Sequence, residues 1–398
     1  MVSAVDRGER WDAEPEMPEA WIVATARSPV GRANKGSLVD LRPDDLAATI
    51  VRAALAKVPS LDPALVEDVI LGCAQPAGEA GYNLGRVVAL LADMGVPGTT
   101  VNRYCASSLQ AIRMATHAIR AGEGEAMVAG GVECVSRFAK GKADGMIETK
   151  NPRFGTDGMP NVYIAMGETA ENVADRENVS RGEMDAYALE SQRKAVAAQE
   201  RGSFAREITP IPLPGGRLVD RDDGPRADTT LEKLAALAPV FRPDGRVTAG
   251  NACPLNDGAA AIVLMSDVRA KELGIAPRAR VVATAVSALA PEIMGLGPIE
   301  ATRRVLARAR LKMSDIDAVE MNEAFAAQVI PCARALEIPR EKLNVHGGAI
   351  ALGHPFGMTG ARLVTTLLTV LEEHGGRLGL ATLCVGGGQG MALVVERL

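Results

Sequence analysis

The order of segments near the start of this 398-residue chain returns near its end, and that repetition restricts the fold more than any other feature. Pro43 and Asp44 open a helix whose apolar face is Leu46, Ile50, Ala54 and Leu55. Pro298 opens a second, PIEATRRVLARARL, with Ile299, Val305 and Leu306 on one side. LDPALVEDVILG (61–72) and MSDIDAVEMNEA (313–324) share a cap, a short spacer and an apolar strand. VNRYCASSLQ (101–110) runs from strand into helix, and 346–371 is expected to place a strand and a helix around His354. EAMVAGGVE (125–133) and LGLATLCVGGGQGMALVVE (378–396) each read as a Gly-flanked strand. Four matched elements at a period of roughly 250 residues predict two related α/β halves packed together.

This length supports two or three domains around a sizeable core. WIVATA (21–26) is the first strand, and the polar, Pro-containing residues 1–18 read as a disordered extension. Residues 19–135 plus 268–280 form the N-terminal half, and 281–398 the C-terminal half. Between them 136–267 reads as an inserted loop domain with the remaining N-half elements. It holds Gly/Pro/Asp-rich loops and two helices, GETAENVADREN (167–178) and RGEMDAYALESQRKAVAAQERG (181–202). Loops this long in a compact protein tend to be functional; the region either covers an active face or is a surface excursion. Aromatic residues make up only 3 %, and Ala and Gly take their place, so helices and sheets should pack closely.

Charge and cysteine use exclude several classes. A net charge of −5 gives no general surface for nucleic acid or anionic membrane. No apolar run reaches membrane-spanning length, and the N-terminus has no signal-peptide core. Six cysteines without paired short spacings form neither a disulfide framework nor a zinc site, so a reducing, cytoplasmic setting is expected.

Three stretches carry chemistry. Cys105 follows an extended run, precedes a helix with Leu109, Ile112, Ala115 and Ile119 on one face, and has only Ala106, Ser107 and Ser108 beside it. At a helix N-terminus a thiol is expected to gain thiolate character; on these residues alone it is either a nucleophile or a core thiol. His354 sits on a turn shaped by Gly353, Pro355 and Gly357. Asn322, in NEAFAAQ, offers an amide for a water or an oxyanion, and Cys384 precedes a nest of glycine N–H groups.

VNRYCASSLQAI, MGETAENVA, VTAGNACPLNDGAA, NEAFA, GGAIALGHPFGMTGAR and CVGGGQGMA, in this order over nearly the whole chain, are similar to the thiolase family. The resemblance implies the thiolase fold, two βαβαβαββ-type halves in a five-layered α-β-α-β-α core. It implies an acyltransferase that cleaves a 3-oxoacyl-CoA reversibly through an acyl-enzyme on Cys105. His354 would take the thiol proton, and Cys384 would protonate the departing acetyl-CoA carbanion. One oxyanion site would pair His354 with a water held by Asn322, and the other would use the amides of Cys105 and Gly386. Coenzyme A is then a substrate, with no metal or other cofactor, and a homodimer or homotetramer is implied.

Matched positions for coenzyme A are Arg226 near the adenosine moiety and Leu237, Phe241 and Ala249 along the channel. Met166, Ala324 and Phe325 match positions lining the pantetheine and acyl tunnel; for the apolar ones ordinary core is an equal reading. Two departures from the family pattern stand out. Cys253 stands where many short-chain members have serine, and Ala165 where acetoacetyl-specific members have histidine. Extra room near the acyl group implies a degradative enzyme, in fatty-acid or sterol side-chain β-oxidation, accepting chains larger than acetoacetyl. A biosynthetic acetoacetyl-CoA-forming thiolase and a non-catalytic acyl-CoA- or lipid-binding homologue are the alternatives. Cys73, Cys134 and Cys332 read as core thiols, His117 and His374 as surface, and His346 is left without a role.

Overall fold

In the computed structural model, residues 17–138, 150–156, 158–213 and 215–398 are described. The extension expected over 1–18 lies almost wholly outside them.

Strand β1 (Ala20–Arg27) leads to α1 (Pro43–Leu55), where Pro43 pre-sets the helical φ and Asp44 and Asp45 face the positive end of the dipole. Then follow β2 (Asp68–Gly72), α2 (Leu84–Leu91), β3 (Gly98–Val101), α3 (Ser107–Arg120) and β4 (Ala126–Cys134). Helices α4 (Met166–Arg176) and α5 (Arg181–Arg201) occupy the intervening region, α5 opening with a Ser180–Glu183 capping box. The next elements are β5 (Asn256–Ser266), β6 (Ala279–Ala288), α6 (Gly297–Ala309), β7 (Ala318–Met321) and α7 (Ala326–Ala335). The chain closes with α8 (Thr359–His374), β8 (Leu378–Val385) and β9 (Gln389–Arg397).

The strands run in the order β7-β8-β9-β6-β1-β5-β4-β2-β3. The first half contributes β1-β5-β4-β2-β3 and the second β6-β9-β8-β7. Taken outward from the junction, both halves lay their strands in the same sequence. Among the described residues, their strands pair where Trp21 and Ile22 face Arg280 and Ala279. The counterpart of β3 in the second half has shrunk to one parallel bridge, Val319 to Leu343.

Side-chain alternation separates the layers. Val263 of β5 packs with Leu46, Ile50 and Val88 of α1 and α2 on the outer face of the first sheet. Ile262 and Leu264 point the other way, to Leu109 and Ile112 of α3 and Leu363 and Leu367 of α8. Leu393 of β9 joins this middle layer, whereas Val394 faces Val305 of α6 and Val329 of α7. The result is five layers, helix–sheet–helix–sheet–helix. Every residue of α8 from Thr359 to Leu371 is buried, as a helix between two sheets must be. Where α8 crosses α3, a Cβ on Gly360 would lie 2.4 Å from the amide nitrogen of Leu109, so only glycine allows the approach. The Ser108 hydroxyl accepts from Ala361 N–H at 2.9 Å at the same crossing. Both central helices therefore meet near their N-terminal ends, which is where Cys105 and His354 lie.

Three expectations need correction. The strand expected before His354 is a single helical turn, Ala349–Leu352, because Gly347 and Gly348 break the extended run. The C-terminal block is not one strand but a pair, β8 and β9, reversed at Gly387 and Gly388, both with positive φ. β5, within 136–267, is no covering element; it lies between β1 and β4 with every residue buried.

Candidate active site

Cys105 sits on the turn between β3 and α3. Tyr104, just before it, has φ 43°, a left-handed conformation that a non-glycine residue holds only when its surroundings force it. Asn102 Oδ1 accepts the Tyr104 N–H at 2.8 Å, and the Ser107 hydroxyl donates to the Tyr104 carbonyl at 2.7 Å. Arg103 spans to the second half by donating to Gln389 Oε1 at 2.8 Å. The backbone amides of Gly386 and of Cys105 itself face the sulfur and favour thiolate, but burial outweighs them and pushes the thiol up to about 11. Burial thus opposes the thiolate character that the helix N-terminus favours, and desolvation is the larger effect.

His354 is fixed from three sides. Its backbone N–H donates to Asn256 Oδ1 at 2.9 Å, and the Asn256 amide in turn donates to Gly31 O at 2.9 Å. Gly353 makes room for that asparagine: its φ is 110°, and a Cβ there would lie 2.6 Å from the Asn256 side chain. The Thr359 hydroxyl donates to Pro355 O at 2.8 Å, so its oxygen accepts from His354 Nδ1 at 2.6 Å. The ring proton is thereby placed on Nδ1, which leaves the Nε2 lone pair to accept from Asn322 Nδ2 at 3.3 Å. Burial, reinforced by the Arg362 guanidinium, holds the imidazole down at about 3. The Cys–His pair is therefore neutral at rest. Alkylation of free Cys105 by iodoacetamide is expected to climb steadily from pH 7 to 10, following the rising thiolate fraction; a plateau reached below pH 8 would contradict this.

Cys384 is the last residue but one of β8 and is fully buried. Burial, then the neighbouring thiols Cys105, Cys332 and Cys253, push it well above the usual cysteine range. Cys105, Cys253 and Cys384 thus lie within electrostatic reach of one another, although they come from three distant segments. Gly386, two residues on, packs beside Tyr104 and Met166.

The residues proposed for coenzyme A fall into two groups. Arg226, Leu237 and Ala249 line an open cavity of about 750 Å³, together with Arg32 and Lys233. Its wall also includes Pro254, next to Cys253, and Ile350 and Ala351, four and three residues before His354. Phe241, Ala324 and Phe325 are not part of that wall. Phe325 packs edge-on against Phe241 with ring centroids 6.3 Å apart, and Ala324 O accepts from the Cys253 N–H at 3.0 Å.

Sequence reasoning missed the residues that brace the site. The Glu133 carboxylate accepts from the N–H groups of Ala74, Gln75 and Gly357 at 2.9, 3.1 and 2.8 Å, joining the loop after β2 to the His354 turn. Burial nevertheless pushes it up to about 7. Glu323 accepts from the Tyr187 and Ser191 hydroxyls, the Asn344 amide and the Ile350 N–H, tying α5 to the Asn322 loop. In VAGGVE and NEAFA these carboxylates read as ordinary neighbours of a strand end.

Comparison with known proteins agrees with this architecture. The N-terminal thiolase domain profile matches residues 20–268 and the C-terminal thiolase domain profile residues 275–397. The chain is 48 % identical to a beta-ketoadipyl-CoA thiolase of Pseudomonas aeruginosa, over 96 % of this chain and 99 % of that one. It is 45 % identical to the 3-oxoadipyl-CoA/3-oxo-5,6-dehydrosuberyl-CoA thiolase of Escherichia coli, over 96 % and 100 %. The crystal structure of the Bacillus anthracis acetyl-CoA acetyltransferase superposes with a TM-score of 0.87 at 40 % identity, covering 97 % of this chain and 100 % of that one. With its two halves, its thiol-lined centre and these matches along its length, the chain belongs to the thiolase family and is an acyltransferase that takes coenzyme A as a substrate.

Proposed function

We propose that the protein cleaves a 3-oxoacyl-CoA bearing a terminal carboxylate, of the 3-oxoadipyl-CoA class, into acetyl-CoA and the CoA ester of the shortened diacid. The observation that carries thiolysis is the gathering of Cys105 and Cys384 beside the Gly386 amide. The relatives' names supply the acyl class, in place of the fatty-acid or sterol chain suggested by Ala165.

In the first half-reaction Cys105 Sγ attacks the C3 carbonyl while its proton passes to His354 Nε2. The amides of Cys105 and Gly386 are placed to hold the developing oxyanion. As C2–C3 breaks, the thioester enolate takes a proton from the Cys384 thiol. His354 and a water on the buried Asn322 Oδ1, which no protein group hydrogen-bonds, support the enolate oxygen. In the second half-reaction Cys384 thiolate takes the proton of incoming CoA, whose sulfur attacks the acyl group. The Cys105 thiolate then recovers its proton from His354, and all three groups return to their starting states.

A panel of acetoacetyl-CoA, 3-oxoadipyl-CoA and 3-oxoacyl-CoAs of long or ring-bearing chains tests the acyl class. A kcat/KM for 3-oxoadipyl-CoA at least about tenfold above the others is expected; preference for acetoacetyl-CoA or an uncharged long chain defeats it. Arg226→Ala is expected to raise the KM for CoA about tenfold, some 1.4 kcal/mol, with kcat within about twofold. A fall in kcat at unchanged KM would remove Arg226 from the coenzyme channel.

We also propose a cytoplasmic homodimer. Among the described residues no helix is long and apolar enough to cross a membrane. Strand β3 ends the sheet order with one edge unpaired, near exposed Leu90, Tyr82 and Tyr104. Light scattering on the eluted protein should give twice the chain mass or a multiple of it; a monomer refutes this.

A further inference from the structure

Two histidines that take no part in the proposed chemistry meet in space. His346, in the loop after the Val319–Leu343 bridge, is fully buried, and among the described residues no protein group hydrogen-bonds either ring nitrogen. Its Nε2 lies 3.0 Å from Glu373 Oε2, yet out of line for a ring N–H bond. A buried polar group without a partner is costly, and such sites are kept where something else satisfies them. His374, exposed at the end of α8, brings its ring centroid to 6.3 Å from that of His346. One donor atom from each of His346, Glu373 and His374 lies within 4.8 Å of the other two.

We propose that His346, Glu373 and His374 form a binding site for one divalent transition-metal cation of the zinc type, with solvent as the fourth ligand. Two imidazoles and a carboxylate suit zinc, cobalt or nickel, whereas calcium and magnesium demand all-oxygen shells. Metal–donor bonds of about 2.1 Å in a tetrahedron place donors about 3.3 Å apart, so the present spread closes by rotation of the exposed His374 side chain. The carboxylate is already oriented: the Ser203 hydroxyl donates to Glu373 Oε2 at 3.1 Å, the outer support that metal ligands usually have. Phe204 packs edge-on against His346 at 6.0 Å and walls off the inner side. An open depression lined by Glu341, Val345 and His374 lies on the His374 side of the cluster. Arg206, 3.7 Å from Glu373 Oε1, neutralises the carboxylate without reaching either ring. The cation would join the two ends of the segment 346–374, which carries both His354 and α8. Its role is structural: the acyl transfer requires no metal.

The tag-free full-length protein, stripped with EDTA and alkylated at Cys105 so that active-site thiols do not compete, is titrated with Co2+ and with Zn2+. Bound metal is read by mass spectrometry after desalting and by the Co2+ visible spectrum. One equivalent per chain with a tetrahedral N/O spectrum is expected, together with a rise in melting temperature on adding Zn2+. His374→Ala, which removes an exposed side chain, and Glu373→Gln should each bind about tenfold more weakly or worse. They should lose the zinc-dependent rise while melting like the stripped wild type, and, assayed without alkylation, they should keep the wild-type thiolysis rate. Absence of stoichiometric metal in the wild type, or equal affinity in wild type and His374→Ala, overturns the site.

Discussion

Cys105→Ala is expected to lower thiolysis by about 10⁵-fold or more, leaving only what positioning and the oxyanion donors give without a nucleophile. No other group can take over the acyl transfer. Cys384 is fully buried, and burial pushes Cys253 up further than it does Cys105. The loss should be chemical rather than structural. Cys105 is half-buried on a turn held by Asn102 and Ser107 through its neighbours, and its own side chain supports none of those bonds. Melting temperature should therefore be unchanged within about two degrees. Incubation with acetyl-CoA should add one acetyl mass to the wild type and none to the variant. Residual activity above about a thousandth of wild type would assign the nucleophile elsewhere.

The features legible from sequence are those written in short-range pattern. Pro43 and Pro298 open helices because a fixed φ and a missing donor suit a first turn, and both helices are there. Cys105 and His354 announced themselves through small neighbours and glycines, since a side chain that must be reached needs little bulk beside it. Illegible were properties set by distant partners. The tautomer of His354 depends on a hydroxyl chain through Thr359 to Pro355, and its pose on Asn256, 98 positions away. The placement of β5 was hidden because NDGAAAIVLMS follows a loop-rich region, and only its pairing with β1 and β4 reveals a central strand. The ionisation of both thiols was hidden for a further reason. Sequence shows the helix terminus and the glycine amides but not the depth of burial, and burial is the larger effect.

Cys384→Ala should separate the two kinds of bond cleavage that the site performs. Breaking C2–C3 expels a thioester enolate, whose carbon is a far weaker acid than any thiol and needs a proton delivered as it forms. A neutral, buried Cys384 thiol, pushed well above its usual range, is matched to that task. Its loss should cost about 10³–10⁴ in thiolysis of a 3-oxoacyl-CoA. Transfer of an acetyl group between CoA and Cys105 expels a thiolate instead, a good leaving group that needs little acid assistance. Acetyl exchange with labelled CoA should thus persist within about tenfold of wild type, and the acetyl-enzyme should still form. His354→Ala, by contrast, removes the acceptor of the Cys105 proton and should depress exchange and thiolysis alike. The ratio of the two rates is the decisive quantity, because misfolding or a blocked channel lowers both together. If Cys384→Ala lowers exchange as much as thiolysis, the second thiol supports the fold of the site and does not deliver the proton.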